Sequence, residues 1–453
     1  STGRAGGVLP HRRAVGGGTM TPRYRSVKGT RDLLPPESER WSEAERIARE
    51  TFRSWGYGEI RTPVLEETPL FARSVGETTD IVHKEMYTFT DRKGRSVTMR
   101  PENTAGVVRA VIENGLASGP MPLRLYYIGP QFRYERPQAG RFREFSQIGV
   151  ELFGVAGPAG EAEVLEMLFA FLRALGFRGL SVSLNSVGTA ATRSAFGEAV
   201  RGHVAPRSAS FGEDDRRKLA ENPLRLFDSK DPEVRAALEG SPRTIDYLDA
   251  DSRRHHEDVR ALVTKAGITF RDDPSLVRGL DYYTRTVFEV LSSDLGAQDA
   301  VLGGGRYDGL VEALGGPALP AVGFAIGEDR LLQVAPLAAP SRPCVLVFPQ
   351  RVEDVADASR VAQEIRTALP GGCVEVDLAA RGIKKGMARA ASLFEQANAR
   401  GLDPKAMLVV FIGERERAEA SVTIKRLATG EQETFPRSEL AERLGAGHIW
   451  RVV

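Results

Sequence analysis

Cysteine is nearly absent from this chain. Only Cys344 and Cys373 occur among 453 residues, and both lie in apolar, strand-like runs. Two cysteines are too few for the disulfide framework of a small secreted protein or for a cysteine-based zinc site. We therefore expect both to be small, buried apolar side chains without a redox role.

Long apolar runs are missing as well. No stretch of about 18 apolar residues occurs, so the sequence predicts no membrane-spanning helix. The first residues, STGRAGGVLPHRRAVGGGTM, lack the apolar core of about 7–15 residues that a secretory signal needs. We expect residues 1–19 to be a disordered extension, with Met20 a candidate natural start and a transit peptide the alternative. Cytoplasm is the predicted location.

Neither sign of charge is in large excess. The net charge is +2, with 62 Lys and Arg residues against 60 Asp and Glu residues. This balance neither requires nor excludes a nucleic-acid partner, because a local basic patch can lie within a balanced total. The six histidines show no metal-ligand spacing, so no protein-held metal is predicted. The pair His255–His256 lies in a charged stretch and is expected at the solvated surface.

Hydrophobic periodicity divides the chain into regions. Apolar residues at helical spacing over 41–55 precede extended pieces separated by polar turns, which predicts an antiparallel sheet flanked by helices. Residues from about 190 to 270 are polar, charge-dense and helix-prone, which indicates a helical insertion. A linker over 336–343 precedes alternating strands and helices. The predicted organisation is an α+β domain over 20–335 and an α/β domain over 343–453.

The segment 132–151, FRYERPQAGRFREFSQIGVE, is the most informative. Residues 137–140 predict a tight turn between two pairs of arginines, Arg133, Arg136, Arg141 and Arg143. Guanidinium groups bind phosphate oxygens in pairs and stay charged, so two such arms are typical of a polyanion site. A solvated basic hairpin is the alternative interpretation.

Gln147 and Glu151 follow the arginines in an otherwise apolar, strand-like run. Because they are an even number of residues apart, their side chains point to the same face of a strand. An amide and a carboxylate on one face favour a small polar cation as ligand. An exposed face of the sheet is the alternative.

The sequence RPENTA at 100–105 places a carboxylate, Glu102, two residues before a hydroxyl, Thr104. Together they can bind an ammonium group. Alternatively, Asn103 or Thr104 only caps the helix that follows.

Two later segments carry polar groups beside glycine. Residues 276–289, LVRGLDYYTRTVFE, place Arg278, Tyr282 and Tyr283 immediately before a strand. The sequence GGGRYD at 303–308 permits close approach of a flat ligand, although it is neither a P-loop nor a dinucleotide-binding fingerprint. A surface loop and an ordinary turn are the respective alternatives.

In this order, the segments resemble the histidyl-tRNA synthetases, a family of class II aminoacyl-tRNA synthetases. The stretch 132–151 is similar to class II motif 2, and the pieces at 276–283 and 303–308 resemble the two signatures of the histidine enzymes. Further matches are motif 1 at 58–64, motif 3 at 323–330, an N-terminal signature at 28–36 and an anticodon-binding domain from about 383 to 425. The resemblance runs from about residue 24 to the C-terminus.

The resemblance implies a role for each matching residue. The catalytic residues would be Arg133, Arg278 and Arg330. ATP would be bound by Arg133, Glu135, Arg141, Phe145 and Arg330. Histidine would be bound by Glu102, Thr104, Gln147, Glu151, Tyr282 and Tyr283. Pro63 would lie at the interface of a homodimer, while Asn103 and Ser146 depart from the family pattern beside binding positions.

The resemblance also implies the reaction. L-Histidine would react with ATP and Mg²⁺ to give histidyl-adenylate and pyrophosphate, and the histidyl group would pass to the 3′ end of tRNA(His). The alternative is a non-catalytic, synthetase-like regulatory subunit of ATP phosphoribosyltransferase. Such subunits usually lack the anticodon domain and have degraded motifs, whereas Arg278, Tyr283 and Arg330 are all present here. A plain RNA-binding module would not explain a pocket of Glu102, Gln147 and Glu151, which would repel phosphate.

Overall fold

The structure of the protein is a computed structural model. It describes residues 24–76, 79, 81–135, 141–277, 280–292, 300–338, 340–397 and 402–445. The predicted extension, residues 1–19, and the predicted turn, residues 137–140, lie outside these described residues.

The first domain contains the following helices and strands. Its helices are α1 (Glu37–Ser54), α2 (Thr68–Val75), α3 (Thr104–Glu113), α4 (Ala159–Ala174), α5 (Ala190–Val204), α6 (Glu213–Glu221), α7 (Pro232–Leu238), α8 (Ala250–Lys265), α9 (Leu310–Ala313) and α10 (Glu328–Val334). Its strands are β1 (Gly58–Glu59), β2 (Leu65–Glu67), β3 (Tyr87–Thr90), β4 (Ser96–Met99), β5 (Leu123–Phe132), β6 (Glu144–Phe153), β7 (Leu180–Ser186), β8 (Phe270–Asp272), β9 (Thr286–Ser292), β10 (Ala300–Arg306) and β11 (Ala321–Gly327).

Eight of these strands form one sheet in the order β1-β5-β6-β11-β10-β9-β7-β8. Its centre is antiparallel, as predicted, and the two edge pairs β1–β5 and β7–β8 are parallel. The hairpin of β5 and β6 is paired from Leu123 opposite Phe153 to Phe132 opposite Glu144. The predicted α+β fold class is therefore confirmed, with a mixed rather than purely antiparallel sheet.

Helices cover one face of this sheet. In α1 the buried side chains follow at helical spacing, Trp41, Ala44, Ala48 and Phe52, and form one apolar stripe. The ring of Phe52 lies 5.4 Å from the rings of both Tyr126 and Phe171. The sheet, α1 and α4 thus share one core. On the opposite face of β6, Phe153 packs into a second apolar cluster with α3 and α9, and Gln147 and Glu151 carry the polar groups.

The region predicted as an insertion is helical. Helices α5 to α7 enclose an apolar cluster of their own around Phe196, Phe211 and Leu226. Helix α8 instead contributes Val259 and Val263 to the main core. The insertion therefore has its own core and one helix that belongs to the body of the domain.

The expectation of solvated histidines in α8 was wrong. His255 and His256 are only 6% and 2% exposed. Helix α8 packs against α4, and Nε2 of His255 lies 2.7 Å from Oε1 of the buried Glu161. The charged residues around this pair in the sequence suggested that both histidines are exposed to solvent, but only one side of α8 is exposed.

Glu161 joins the sheet to its covering helix. Its carboxylate accepts hydrogen bonds from Nε and Nη2 of Arg306 at 2.8 and 2.5 Å, and from Thr286 Oγ1 at 2.9 Å. Glu161 and Arg306 are both fully buried. Burial raises the pKa of Glu161, but the bonds from Arg306 and His255 outweigh it and lower that pKa to about 2.

The second domain is built on a five-stranded sheet in the order β13-β12-β14-β15-β16. Its strands are β12 (Arg342–Pro349), β13 (Cys373–Val376), β14 (Leu402–Ile412), β15 (Ser421–Arg426) and β16 (Gln432–Pro436). Its helices are α11 (Val355–Ala368), α12 (Ile383–Glu395), α13 (Glu414–Ala418) and α14 (Leu440–Gly445). Strands β13, β12 and β14 are parallel, and apolar clusters lie on both faces of the sheet. Cys344 is buried, as expected, whereas Cys373 is only half-buried.

No helix in the described part of the chain is both long and apolar enough to cross a membrane.

Replacing Glu161 by Gln tests the buried ion pair. We expect the free energy of unfolding near neutral pH to fall by about 3–5 kcal/mol, because Arg306 loses its buried counter-charge. Since the pKa of Glu161 is lowered in the folded protein from 4.5 to about 2, this stabilisation is complete above about pH 4.5 and is lost as the pH falls towards 2. Urea unfolding of both proteins across this pH range measures the difference.

Glu163→Gln is the matched control on the same helix. Glu163 is partly exposed, pairs with Arg124 at 2.8 Å and accepts from Tyr57 at 2.9 Å. Gln keeps an acceptor for Tyr57 and solvent can reach Arg124, so the loss should be about 1 kcal/mol, well below that at Glu161. Equal losses for the two variants, or a loss at Glu161 that does not shrink in acid, would contradict the account.

Candidate active site

The hairpin of β5 and β6 continues beyond its strands into the arginine segment. The backbone N–H of Arg133 donates to the carbonyl of Arg143 at 2.9 Å, which keeps the two arms paired. Nε of Arg133 donates to the carbonyl of Pro101 at 2.8 Å. The Arg133 side chain is therefore held next to the segment that carries Glu102 and Thr104.

A basic cavity of about 260 Å³ lies beside the hairpin. Its lining contains all five residues predicted to bind ATP, namely Arg133, Glu135, Arg141, Phe145 and Arg330. It also contains Phe142, Gln147, Glu289, Leu302, Gly303, Ala325, Gly327 and Asp329. Of the additional lining residues, Gly303 lies in the GGGRYD segment and Ala325 and Gly327 lie in the motif 3 segment, whereas no binding role was predicted for Glu289 or Leu302.

Aromatic and guanidinium groups alternate in this basic cavity. The guanidinium of Arg133 lies 5.3 Å from the ring centroid of Phe145. Glu135 lies between two arginines, 3.8 Å from Arg133 and 3.4 Å from Arg141. A ring face beside fixed cations suits a flat ligand that carries phosphates.

A second, acidic cavity of about 140 Å³ adjoins the first. Its lining contains all six residues predicted to bind histidine, Glu102, Thr104, Gln147, Glu151, Tyr282 and Tyr283, together with Arg133, Leu280, Gly303, Tyr307, Gly323, Phe324 and Ala325. Arg133, Gln147, Gly303 and Ala325 line both cavities. The two cavities are therefore parts of one site.

Glu151 is the deepest acid of the second cavity, with 1% of its surface exposed. One carboxylate oxygen accepts a hydrogen bond from Thr104 Oγ1 at 2.7 Å, and the other accepts from the hydroxyl of Tyr307. Burial raises the pKa of Glu151 to about 8, against the effect of these donors. A cation in this cavity would stabilise the ionised form.

Glu102 both caps a helix and lines the acidic cavity. Its carboxylate accepts the backbone N–H groups of Thr104 and Ala105 at 2.7 and 3.0 Å, at the start of α3. Burial raises its pKa. The predicted alternative cap by Asn103 or Thr104 was wrong, because Asn103 makes no cap bond and the hydroxyl of Thr104 donates to Glu151.

The tyrosines form a packed group on the other wall. The ring of Tyr282 lies 4.8 Å from that of Tyr283 and 5.5 Å from that of Tyr307. Burial raises the pKa of Tyr282 and Tyr307 well above the ordinary value, so both phenols are neutral hydrogen-bond donors. Neutral phenols and carboxyl groups together favour a ligand with N–H groups.

The remaining predicted positions line neither of these two cavities. Arg278 lies outside the described residues. Pro63 is exposed between β1 and β2, and its carbonyl accepts from Arg100 at 3.4 Å. Asn103 accepts from Thr62 Oγ1 at 2.6 Å, and the backbone N–H of Ser146 donates to Asp329 at 3.1 Å. Neither Asn103 nor Ser146 lines the basic or the acidic cavity; both line a separate cavity of about 500 Å³.

Sequence reasoning missed two supporting contacts. Tyr307 was noticed only as part of GGGRYD, although its hydroxyl binds Glu151. Arg31, in the N-terminal signature, forms an ion pair with Asp329 at 3.0 Å, which orients the start of α10. Tyr307 and Arg31 both lie in segments that resemble family signatures, but the residues that they contact lie far away along the chain.

Comparison with known proteins gives a consistent result. The family model described as histidyl-tRNA synthetase matches residues 29–199 and 214–331, and the model described as anticodon binding domain matches residues 344–446. A histidine–tRNA ligase of Thermosynechococcus vestitus is 46% identical over 419 residues, which cover 92% of this chain and 95% of that protein. A histidine–tRNA ligase of Koribacter versatilis is 46% identical over 431 residues, with 92% and 95% covered.

The chain belongs to the histidyl-tRNA synthetase family. Among solved structures, an apo S. aureus histidyl-tRNA synthetase has a TM-score of 0.74 and 33% identity, and the match covers 93% of this chain and 100% of that one. A Bacillus halodurans protein described as an ATP phosphoribosyltransferase regulatory subunit/histidyl-tRNA synthetase has a TM-score of 0.63 at 22% identity. That likeness concerns the fold alone, so the closer sequence relatives favour a ligase over a regulatory subunit.

Removing the hydroxyl of Tyr307 tests the support of Glu151. In Tyr307→Phe, Glu151 loses a donor that lowers its pKa, so that pKa should rise further. A larger fraction of Glu151 is then protonated near neutral pH, and we expect histidine to bind on the order of tenfold more weakly. Calorimetric titration of histidine into each protein measures the change.

Tyr57→Phe is the matched control, since Tyr57 is also buried and also donates to a glutamate, Glu163, at 2.9 Å. Tyr57 lines neither cavity, so its loss should leave histidine binding unchanged. Equal affinities for wild type and Tyr307→Phe would show that the contact with Glu151 does not support binding.

Proposed function

We propose that this chain activates L-histidine with ATP and transfers it to tRNA(His), using the two adjoining cavities as one active site. The observation that carries the proposal is their chemical contrast. One is lined by three arginines, Arg133, Arg141 and Arg330, together with the carboxylates of Glu135, Glu289 and Asp329. The other is lined by Glu102 and Glu151, with Arg133 shared between the two cavities. Such a site accepts a polyanion beside a small cation that carries N–H groups.

The basic cavity is assigned to ATP. Arg133 and Arg330 bind phosphates, Glu135 and Arg141 hold the adenine and the terminal phosphate region, and Phe145 stacks on the adenine ring. Support comes from the guanidinium of Arg133 beside the ring of Phe145. Arginine suits this work because it stays charged and binds oxygens in pairs.

The acidic cavity is assigned to histidine. Glu102, Thr104 and Gln147 take the α-amino group, while Glu151 and Tyr283, with Tyr282 beside them, take the imidazole. A ligand without imidazole N–H groups would leave Glu151 buried with an unmet acceptor, which gives strong discrimination. Support comes from the burial of Glu151 and its contact with Thr104.

The chemistry is an in-line attack of the histidine carboxylate on the α-phosphorus of ATP, with pyrophosphate leaving. The protein positions the two substrates and neutralises developing charge with Arg133, Arg330 and Arg278, and supplies no nucleophile. A ribose hydroxyl at the 3′ end of tRNA(His) then attacks the carbonyl carbon of the adenylate, which forms the ester and releases AMP and the hydroxyl proton.

Mg²⁺ is proposed to arrive with ATP. The described residues contain no group of three or more acidic, histidine or cysteine side chains that could hold a metal by themselves. Mg²⁺ commonly uses one or two carboxylates plus substrate phosphates, and Glu135 and Glu289 supply carboxylate oxygens in the basic cavity. When bound, the ion offsets phosphate charge.

Pyrophosphate exchange tests the proposal. Wild-type protein with Mg²⁺ should incorporate labelled pyrophosphate into ATP only when histidine is present. Arg330→Gln should lower kcat of this exchange by about 100-fold or more, since a cation that stabilises the transition state is lost. Arg173→Gln, which removes an exposed arginine of α4, should behave like wild type.

Failure of histidine to support exchange would disprove the proposed reaction. Exchange that persists unchanged in Arg330→Gln would instead leave the reaction standing and remove Arg330 from the ATP site.

We also propose that the protein is a cytoplasmic homodimer with Pro63 near the contact between subunits. The exposure of Pro63 on the segment between β1 and β2 supports this assignment. Sedimentation velocity should give twice the mass of 49.3 kDa. Pro63→Asp should shift the protein towards the monomer, because a dimer contact would bury the new charge. A wild-type monomer at micromolar concentration would contradict the proposal.

A further inference from the structure

The helical insertion contacts the body of the first domain at the loop before β9. Nη2 of Arg225 donates to Oδ1 of Asp281 at 2.9 Å, and Nδ2 of Asn222 donates to the same oxygen at 3.1 Å. Arg225 lies in the 3₁₀ helix Pro223–Asp228, and Asn222 caps that helix. The side chains of Arg225 and Asp281 are 11% and 32% exposed, so this ion pair is partly shielded from water.

A second arginine of the insertion holds the same loop two residues later. Nη1 of Arg193, in α5, donates to the backbone carbonyl of Tyr283 at 2.6 Å. Arg193 is half-buried, and burial lowers its pKa. The insertion therefore holds the loop on both sides of Tyr282.

The body of the domain holds Asp281 from the other direction. The backbone N–H of Asp281 donates to the carbonyl of Val75 at 3.3 Å, at the end of α2. Gly76 has a φ of +103°, and a Cβ at this position would collide with the carboxylate of Asp281. Asp281 is thus fixed between the insertion and α2.

Tyr282 and Tyr283 follow Asp281 directly and line the acidic cavity. None of Asn222, Arg225 and Asp281 lines the basic cavity. A change in the position of this loop would therefore alter the histidine side of the site before the nucleotide side.

We propose that Arg225, through its ion pair with Asp281, is a positioning residue for histidine recognition, so that docking of the insertion sets the affinity for the amino acid. The inference rests on the proposed role of Tyr282 and Tyr283 in binding histidine. Arg225 touches no substrate; it acts by fixing the backbone on which both tyrosines stand.

Steady-state pyrophosphate exchange on the full-length protein tests this. In Arg225→Met the KM for histidine should rise about tenfold, whereas the KM for ATP should stay within about twofold of wild type. Arg225→Lys keeps the charge and should recover most of the loss, since a single N–H group makes the contact. Asp281→Asn should also raise the KM for histidine. The KM of the double variant should not exceed that of the poorer single variant, because both changes remove the same ion pair.

Arg207→Met is the matched control. Arg207 lies in the same insertion, and its Nη1 donates to the carbonyl of Ala236 within the insertion at 2.6 Å. It should leave the KM for histidine unchanged. Thermal unfolding of each variant reports on folding, and if Arg225→Met does not fold, Arg225→Lys and Asp281→Asn supply the comparison.

An unchanged histidine KM in folded Arg225→Met would overturn the inference, as would equal rises in the KM for histidine and for ATP. Additive losses in the double variant would also overturn it. Failure of this inference can be told apart from failure of the proposed function. Histidine-dependent exchange by the wild-type protein tests the function, whereas the ratio of the variant's KM for histidine to that of wild type tests the role of Arg225.

Discussion

The site depends on the alternation of side chains along β6. Ile148, Val150 and Leu152 are fully buried under the helices, whereas Gln147 and Glu151 point to the opposite face and line the cavities. A slip of one residue against β5 would exchange these two sets and bury a carboxylate in the apolar core. The pairing of β6 with both β5 and β11 fixes the register on two sides. The hydrophobic core and the polar site are therefore specified by the same strand.

Glycine supplies the room that this arrangement needs. On β11, Gly323 stands opposite Glu151, and a Cβ there would collide with the Glu151 carboxylate. On β6, a Cβ at Gly149 would collide with the hydroxyl of Tyr127, and on β10 a Cβ at Gly305 would be 2.8 Å from the ring of Tyr283. The large polar and aromatic side chains fit on the sheet because the positions beside them are glycines, which have no side chain.

Local pattern was sufficient for the hairpin and for the shared face of Gln147 and Glu151, since strand geometry alone determines both. It was insufficient where a partner lies far away in sequence. The burial of His255 depends on Glu161, which is 94 positions away, and the support of Glu151 depends on Tyr307, which is 156 positions away. The family resemblance supplied residue roles but not these contacts. Docking of the insertion at Asp281 likewise follows from tertiary packing, which no periodicity in 190–270 indicates.

The separation of charge within the site has a physical reason. Glu102 and Glu151 are both buried, and burial raises both pKa values, because two ionised carboxylates in this cavity would repel each other and lack solvent. Arg133 lies where the two cavities meet, held by the carbonyl of Pro101 and beside the ring of Phe145, and its charge partly offsets the raised pKa of Glu102. Glu151 is held by the hydroxyls of Thr104 and Tyr307 rather than by an arginine, so a cationic ligand would stabilise its ionised form. The acidic cavity therefore favours a ligand that brings an ammonium group and N–H donors, and the adjoining arginines favour phosphate.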